Sequence, residues 1–517
     1  MEEPLIFGLS AVALLGLSFL PLALLASDLF DVQGGLKTLA ASLLSLPTLV
    51  LLLKTLGLAA AVTVTALVIG VPLGTLLGKT DILGGRGAFF LHAFPLFLPP
   101  FLLALGWFHL LGQGAPWGSP TSARLLFSSV GVIGTLGLAF SPVVTTLTAL
   151  ALRGVDPSYE EAARTVASPG RVVIRILWPL ARPAIAFSAL IVFALTLGEV
   201  GVPLFLRTRT YPAMVFSRLG GVIYAPGEAF SLLLPLFILA LGLLALERRF
   251  IGRRAVSALG LRMHETLRFP LGQWRLGASV AVWIVALVSV LPILSLALRA
   301  SPSAFFSLGA SALSSVSHSL LSSLLAATLI TGLGLILGHA LARSRPASAS
   351  LDGLAMLAFI TPATLLGVGL VETWNRSLTQ GIYTSVAILV VGFVARYAIL
   401  GIRMIASVMV LTSPHYEEAA AVSGAGYLRR MTRVVAPMHV RAIIATWLLA
   451  LVFCLRDLET VVIFYPPGLE PLTVRIFTLE ANGPEAQVAA LSILQVGVTA
   501  AILVMGVILL RKKERTS

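Results

Sequence analysis

Long, unbroken runs of apolar residues recur along the whole of this 517-residue chain, separated by short polar stretches. A helix of roughly 18 to 25 apolar residues is long enough to cross about 30 Å of hydrocarbon. The runs do not alternate between apolar and polar residues, so they favour helices over the strands of a membrane barrel. We predict an all-α polytopic membrane protein with about 12 transmembrane helices. They lie near residues 6–27, 48–78, 88–111, 128–152, 183–206, 229–247, 276–299, 315–342, 352–373, 382–411, 438–464 and 487–510.

The composition supports this prediction. Hydrophobic residues make up 58% of the chain and charged residues 11%, with a mean hydropathy of +0.99, which is more apolar surface than a soluble protein of this size could bury. The first run follows Met1-Glu2-Glu3 and lacks the basic start of a signal peptide, so we expect a retained helix. The single cysteine, Cys454, lies inside an apolar run and is expected to be a small buried side chain.

The positive charges predict the orientation in the membrane. The net charge is +14, and the cations cluster in loops that share one side if there are twelve crossings. These cations are Lys79, Arg86, Arg248, Arg249, Arg253, Arg254, Arg262, Arg268, Arg343, Arg345, Arg511, Lys512, Lys513 and Arg515. Short loops rich in Lys and Arg face the cytoplasm, so both termini are predicted to be cytoplasmic. Because orientation accounts for the basic excess, we expect no nucleic-acid partner.

The sequence repeats itself. "DPSYEEAA" at 156–163 and "SPHYEEAA" at 413–420 lie 257 residues apart. Other features repeat at a similar offset, including the glycines Gly70 and Gly74, which match Gly334 and Gly338. "LPPFLLALG" at 98–106 is likewise matched by "ITPATLLGVG" at 360–369. We therefore predict two halves, 1–255 and 256–517, each with six crossings and in the same orientation, with a pathway between them.

Each repeated hexapeptide predicts a short helix outside the bilayer. Pro157 and Pro414 suit an early helical position, and the paired glutamates that follow complement the helix dipole. The alanines continue the helix with little side-chain bulk, up to a break at 168–170 or 423–425. A small-residue face admits close approach by another protein. Two matching copies favour a docking surface over a helix that only connects two crossings.

The second hexapeptide is the start of a longer pattern. Glu418-Ala419-Ala420 is followed by Gly424, and then by Val434 and Pro437. This pattern resembles the EAA loop of importer-type ABC transporter permeases, and the likeness covers nearly the whole chain. In the first half Glu161-Ala162-Ala163 fits. However, Ala167 stands where the family has glycine, Gly170 comes later, and Pro179 is one residue nearer than Pro437.

The resemblance implies a coupling helix that sits in a groove on a cytoplasmic ATPase. It implies two copies of that ATPase, which hold the ATP and Mg, an extracytoplasmic substrate-binding protein, and a bacterial or archaeal cytoplasmic (inner) membrane. By the same resemblance, the chain itself binds no cofactor. The implied coupling residues are Tyr159, Glu160, Glu161, Ala162, Ala163, Gly170, Tyr416, Glu417, Glu418, Ala419, Ala420 and Gly424. The two tyrosines could face either the bilayer or the ATPase.

We predict that the chain is not itself an enzyme. "GTLLGKT" at 74–80 looks like a phosphate-binding loop, but the pattern needs a glycine where Leu73 stands. The stretch also ends an apolar run instead of following a strand. No paired catalytic carboxylates and no nucleophile motif occur elsewhere.

The stretch at 455–483 is similar to the fused permeases of ferric-iron importers, with looser likeness to thiamine, polyamine and sulfate permeases. Glu199 and Asp457 occupy corresponding places in the repeat. Acids in membrane helices usually face a cavity or a partner, and carboxylate oxygens are natural ligands of Fe³⁺. Glu199, Asp457 and Glu459 are therefore candidate pathway residues, although ordinary ion pairs with Arg456 remain an alternative. No metal site is assigned.

The main alternative is an ion-coupled secondary transporter. Such carriers often place ionisable residues or broken helices near the middle of the membrane. Here the characteristic polar features lie on the predicted cytoplasmic side, which favours an external motor. An ABC permease for thiamine, a polyamine or an inorganic anion is the alternative within the family.

Overall fold

The computed structural model describes residues 2–31, 45–165, 167–219, 226–250 and 268–512. Helices dominate these residues, and they contain no β-strand beyond an isolated bridge between Thr80 and Phe269. The predicted all-α class is confirmed. The predicted boundary between the halves, at 255, lies outside the described residues.

The described helices follow the predicted repeat. Those of the first half are α1 Glu2–Leu14, α2 Leu20–Asp31, α3 Leu46–Lys79, α4 Gly85–Ala93, α5 Pro100–Leu111, α6 Pro120–Leu126, α7 Ser129–Arg153, α8 Pro157–Arg164, α9 Pro169–Val172, α10 Trp178–Gly198, α11 Gly201–Phe205, α12 Tyr211–Leu219 and α13 Pro226–Phe250. Those of the second half are α14 Arg275–Arg299, α15 Pro302–Ser307, α16 Gly309–Leu333, α17 His339–Ala342, α18 Ser348–Ile360, α19 Ala363–Trp374, α20 Gln380–Tyr383, α21 Val386–Met409, α22 His415–Val422, α23 Tyr427–Arg430, α24 Ala436–Met438, α25 Val440–Arg456, α26 Val461–Phe464, α27 Leu472–Asn482 and α28 Glu485–Lys512.

Eight helical stretches of the described chain are long and apolar enough to cross a membrane, and up to 11 are if each bent pair counts as one crossing. The predicted segment 229–247 falls within α13. Three segments predicted as single crossings are instead sharply bent pairs. The bends are 106° between α4 and α5, 108° between α18 and α19, and 85° before α25. The exact count of twelve stays a prediction.

The first two bends have a cause in the sequence. The chain reads Leu98-Pro99-Pro100 at one break and Thr361-Pro362 at the other. Proline has no N–H to donate, and it forces the residue before it out of the helical region. The two breaks occupy equivalent places in the repeat, so both halves carry the same broken third segment.

The two halves are interlocked. The first helices of the first half pack on the second half, where α2 contacts α19 and residues 15–19 contact α21. Conversely α14, the first long helix of the second half, packs on α4 and α5. Each half therefore contributes an arm that embraces the other. This exchange brings the start of the chain beside the second hexapeptide.

Within each half the second long helix lies against the fourth at close range. A Cβ atom added to Gly70 on α3 would lie 2.5 Å from the Cβ of Val144 on α7. In the second half, a Cβ added to Gly334 would lie 2.5 Å from the carbonyl carbon of Gly401 on α21. Only glycine permits these approaches, and small residues at helix contacts let backbones pack closely in membranes.

We predict that Gly70→Leu and Gly334→Leu each lower the thermal unfolding temperature in detergent. Inserting a side chain into a filled contact typically costs about 1–3 kcal/mol. Gly57→Leu is the matched control on α3, because a Cβ there meets no atom within 4 Å. Equal unfolding temperatures for Gly57→Leu and Gly70→Leu would contradict this packing.

Candidate functional site

The first hexapeptide forms α8, and its two glutamates face opposite ways. The helix begins at Pro157, and the carboxylate of Asp156 caps it by accepting from the backbone N–H of Ser158 at 2.9 Å. Glu160 is completely buried and forms an ion pair with Lys79, which is itself 1% exposed. Its neighbour Glu161 is exposed to solvent. The helix is thus fixed by one carboxylate and presents the other.

The second hexapeptide forms α22 and repeats this arrangement. Oε2 of Glu417 lies 2.7 Å from Nε2 of His339, and Oε1 accepts from Nε of Arg343 at 3.1 Å. Arg343 also donates to the carbonyl of Thr412 at 3.1 Å, just before the helix. Glu418 is exposed, as Glu161 is in the first half.

The cations that hold the two helices are equivalent residues. Lys79 lies five residues after Gly74, and Arg343 lies five residues after Gly338. Each therefore sits at the end of the second long helix of its half. Successive helical residues are about 100° apart around the axis, so adjacent glutamates cannot both face the protein. The first glutamate anchors the helix and the second remains free to meet a partner.

The remaining predicted coupling residues follow the same division. Ala162 and Ala419 are exposed, and the side chains of Tyr159 and Tyr416 are 62% and 60% exposed, so neither tyrosine packs on this chain. Ala163 is buried. Ala420 is partly buried.

The turns after the two helices differ. Gly424 follows α22 with φ of +82°, a left-handed conformation that glycine adopts without strain. At the equivalent place Ala167 follows α8 and donates its N–H to the carbonyl of Ala163 at 3.0 Å. Gly170, predicted as the substitute glycine, lies inside α9 and not in the turn. The first loop therefore turns by a different route.

The predicted pathway acids lie at the far end of the helices that lead away from α8 and α22. Glu199 ends α10 and Asp457 ends α25, with exposures of 3% and 2%. Each carboxylate accepts from the backbone N–H three residues later, Val202 and Thr460 respectively, at 3.0 Å. Both acids therefore cap the short helix that follows. This equivalence, expected from the repeat, extends to their hydrogen bonds.

These acids belong to a buried charged cluster that joins the halves. Asp457 accepts from the hydroxyl of Tyr397 at 3.0 Å and lies 3.8 Å from Nη1 of Arg396. Across the interface, Glu199 lies within hydrogen-bonding reach of Glu459. Arg456 donates to the carbonyl of Leu96 in the first half. Sequence reasoning did not place Arg396 or Tyr397 here, although a cation inside an apolar helix was a signal.

The cluster does not form a metal site by itself. Among the described residues, no group of three or more His, Cys, Asp or Glu side chains converges to hold an ion. The arginines instead neutralise much of the negative charge. In this conformation the acids act as helix caps and as ties between the halves.

A cavity of about 320 Å³ lies between the halves. Its walls are apolar and include Phe187 and Ile191 from α10 and Ile399 and Phe453 from the second half. Arg403 also lines it, and its guanidinium is held by Glu247 at 2.8 Å and by Asp352 at 2.8 Å. The cavity therefore has apolar walls and one fixed charged group.

The buried pair that holds α8 is open to a double-substitution test. Lys79→Met or Glu160→Gln alone leaves one charge buried and unpaired, which we expect to cost about 3–5 kcal/mol in SDS-induced unfolding. The double variant removes both charges and should be more stable than either single variant. Glu161→Gln, the exposed neighbour, should not change stability. Additive losses in the double variant would show that the two side chains do not depend on each other.

The docking of α22 should depend on acid pH. Burial opposes the charged form of Glu417, but the hydrogen bonds and charges of His339 and Arg343 outweigh it and lower its pKa from 4.5 to about 2. A lowered pKa stabilises the docked helix above pH 4.5 and loses this effect as the pH falls towards 2.

Hydrogen–deuterium exchange should therefore show protection of residues 415–422 that is constant down to about pH 5 and declines below it. Glu417→Gln should lower protection at neutral pH and abolish this decline. Glu418→Gln, at the exposed position, should keep it. An unchanged decline in Glu417→Gln would assign it to another group.

The chain has relatives among known transport proteins. A ferric transport system permease protein of Haemophilus influenzae is 26% identical over 343 residues, which are 60% of this chain and 53% of that relative. The molybdenum transport system permease protein of Azotobacter vinelandii is 31% identical over 184 residues, 33% of this chain and 80% of the relative. A 2-aminoethylphosphonate transport system permease protein of Salmonella typhi is 31% identical over 176 residues, 31% of this chain and 60% of the relative.

No family model matches the chain. The chain spans 53% of the length of its Haemophilus relative, but it covers four fifths of the Azotobacter protein at 31% identity. Together with the repeated apolar helices, these similarities identify a multi-pass membrane permease. The chain belongs to the family of ABC-transporter permeases.

Proposed function

We propose that this chain is the membrane permease subunit of an ATP-driven importer for ferric iron, in which the exposed faces of α8 and α22 dock on two copies of a separate cytoplasmic ATPase. An extracytoplasmic binding protein delivers the substrate to the opposite side. ATP and Mg are held by the ATPase. Both termini then lie on the cytoplasmic side of an inner membrane, as the basic loops indicate.

The observation that carries the proposal is the repeated division of labour between adjacent glutamates. Glu160 and Glu417 are fixed to Lys79 and Arg343, so each helix is joined to the end of a long membrane helix. Glu161 and Glu418 stay exposed beside small alanines. A partner that pulls on these helices would therefore move α3 and the equivalent helix α16, which continues into α17, instead of stretching a loose loop.

The proposed mechanism is alternating access between the interlocked halves. ATP binding draws α8 and α22 together and opens the far side of the bundle, and hydrolysis resets it. The ATPase and the binding protein shift this equilibrium only by binding one state more tightly than the other. The charged cluster around Glu199 and Asp457 separates as the far side opens, which exposes carboxylates to arriving substrate.

Ferric iron is the first candidate substrate because two relatives, from Haemophilus influenzae and Actinobacillus pleuropneumoniae, are named as ferric transport permeases. Glu199, Asp457 and Glu459 supply the hard oxygen ligands that such an ion takes. An inorganic anion is the second candidate. Relatives of 31% and 34% identity are named for molybdenum transport, and Arg396 and Arg456 lie in the same cluster.

The coupling proposal is tested by charge reversal. We expect Glu161→Lys with Glu418→Lys to abolish co-purification of the partner ATPase and to abolish ATP hydrolysis stimulated by the loaded binding protein in proteoliposomes. The matched control is Glu470→Lys with Glu485→Lys, which reverses two charges in the segments around α27, away from both hexapeptides, and should keep the ATPase bound. Retained coupling in the first variant would overturn the docking surface.

The same reconstituted system separates the two substrates. Binding protein loaded with ferric iron should stimulate hydrolysis and uptake of the labelled ion, whereas molybdate-loaded protein should not. Stimulation by molybdate alone would overturn the iron assignment and leave the coupling proposal intact. Uptake without any ATPase would overturn both.

A further inference from the structure

A second cavity, of about 690 Å³, opens where α3 ends and α4 begins, on the side of the bundle that carries α8. Three arginines line it: Arg86 at the start of α4, Arg153 at the end of α7, and Arg268 before α14. Arg153 donates to the carbonyl of Leu77 at 3.0 Å, which fixes its guanidinium at the cavity wall. The charges of Arg86 and Arg268 both act unfavourably on that of Arg153.

No carboxylate of the described chain balances these three charges, since none of them forms an ion pair there. The nearest acids are engaged elsewhere. Glu160 is paired with Lys79, and Asp81 is paired with Arg275 at 3.2 Å and accepts from the backbone N–H of Leu271 at 3.0 Å. Like charges gathered around one cavity repel each other unless an anion lies between them.

The second half solves the same problem with its own residue. Arg345 and Arg430 lie beside α22, and both pair with Glu3, which the exchanged arm of the first half brings there. At the first hexapeptide the exchanged arm is α14, and its arriving segment, around Arg268 and Phe269, brings another cation. The protein thus supplies an anion at one coupling helix and none at the other.

The other walls of the cavity describe the missing anion. Leu77, Ile82, Phe89 and Phe90 line it, and Phe90 is 60% exposed. The cavity lies at the ends of membrane-crossing helices, where lipid head groups meet the acyl chains. Arginine binds phosphate oxygens through two parallel hydrogen bonds, and basic pockets between membrane helices on the cytoplasmic side hold acidic head groups.

We propose that this cavity binds the phosphate of an anionic phospholipid head group, with Arg86, Arg153 and Arg268 as its ligands and the aromatic wall against its acyl chains. Thr80, which lines the cavity, directly follows Lys79. The bound lipid therefore braces the corner of α3 and α4 beside the anchor of the first coupling helix. Only the first half needs such a lipid.

Native mass spectrometry of the full chain, stripped of lipid and titrated with phosphatidylglycerol or phosphatidylcholine of the same acyl chains, tests this proposal. We expect tighter binding of phosphatidylglycerol. Arg86→Gln and Arg268→Gln, both at exposed positions, should each weaken it about fivefold, from about 1 kcal/mol per cation near a membrane surface. Arg171→Gln, an exposed cation outside the cavity, is the matched control and should leave binding unchanged.

Three results would overturn the proposal. Equal binding of the two lipids would remove the requirement for a negative head group. An equal loss in Arg171→Gln would indicate a diffuse surface charge effect without a site. Inorganic phosphate that displaces phosphatidylglycerol completely at millimolar concentration would assign the cavity to a free phosphate ion.

Discussion

The ion pair between Lys79 and Glu160 is the contact on which the first coupling helix depends. Both side chains are almost completely buried, so each would be very costly without the other. The pair joins a short helix outside the membrane to the end of a 34-residue helix that crosses it. In the second half Glu417 with Arg343 and His339 does the same in a less buried setting. A glutamate pair thus combines an anchor with a free carboxylate.

The two halves share this design but differ in how they stabilise it. Each hexapeptide is braced by the first arm of the other half, through Glu3 in one case and through the segment that begins at Arg268 in the other. One arm contributes a negative charge and the other a positive charge. The turn after α22 uses the left-handed Gly424, whereas the turn after α8 contains Ala167. Coupling to two identical ATPase subunits would therefore act on two unequal levers.

Much of this architecture could be predicted from the sequence because it depends on local patterns. Apolar runs gave the membrane helices, and the prolines and alanines of the hexapeptides gave the extents of α8 and α22 closely. The repeat correctly paired Glu199 with Asp457. The breaks at Pro99 and Pro362 were also readable from sequence, yet the long apolar runs concealed them. The anchors were not predictable in this way, because Lys79 and Glu160 are 81 residues apart and nothing local joins them.

The central claim is that α8 and α22 move together as rigid levers when the ATPase closes. The most direct measurement is the distance between spin labels at Ser158→Cys and His415→Cys, two exposed and equivalent positions, in a Cys454→Ala background with the ATPase bound. We predict that the distance shortens when ATP and Mg are added to a hydrolysis-deficient ATPase. It should return when nucleotide is removed. An unchanged distance in a system that still transports substrate would contradict the account.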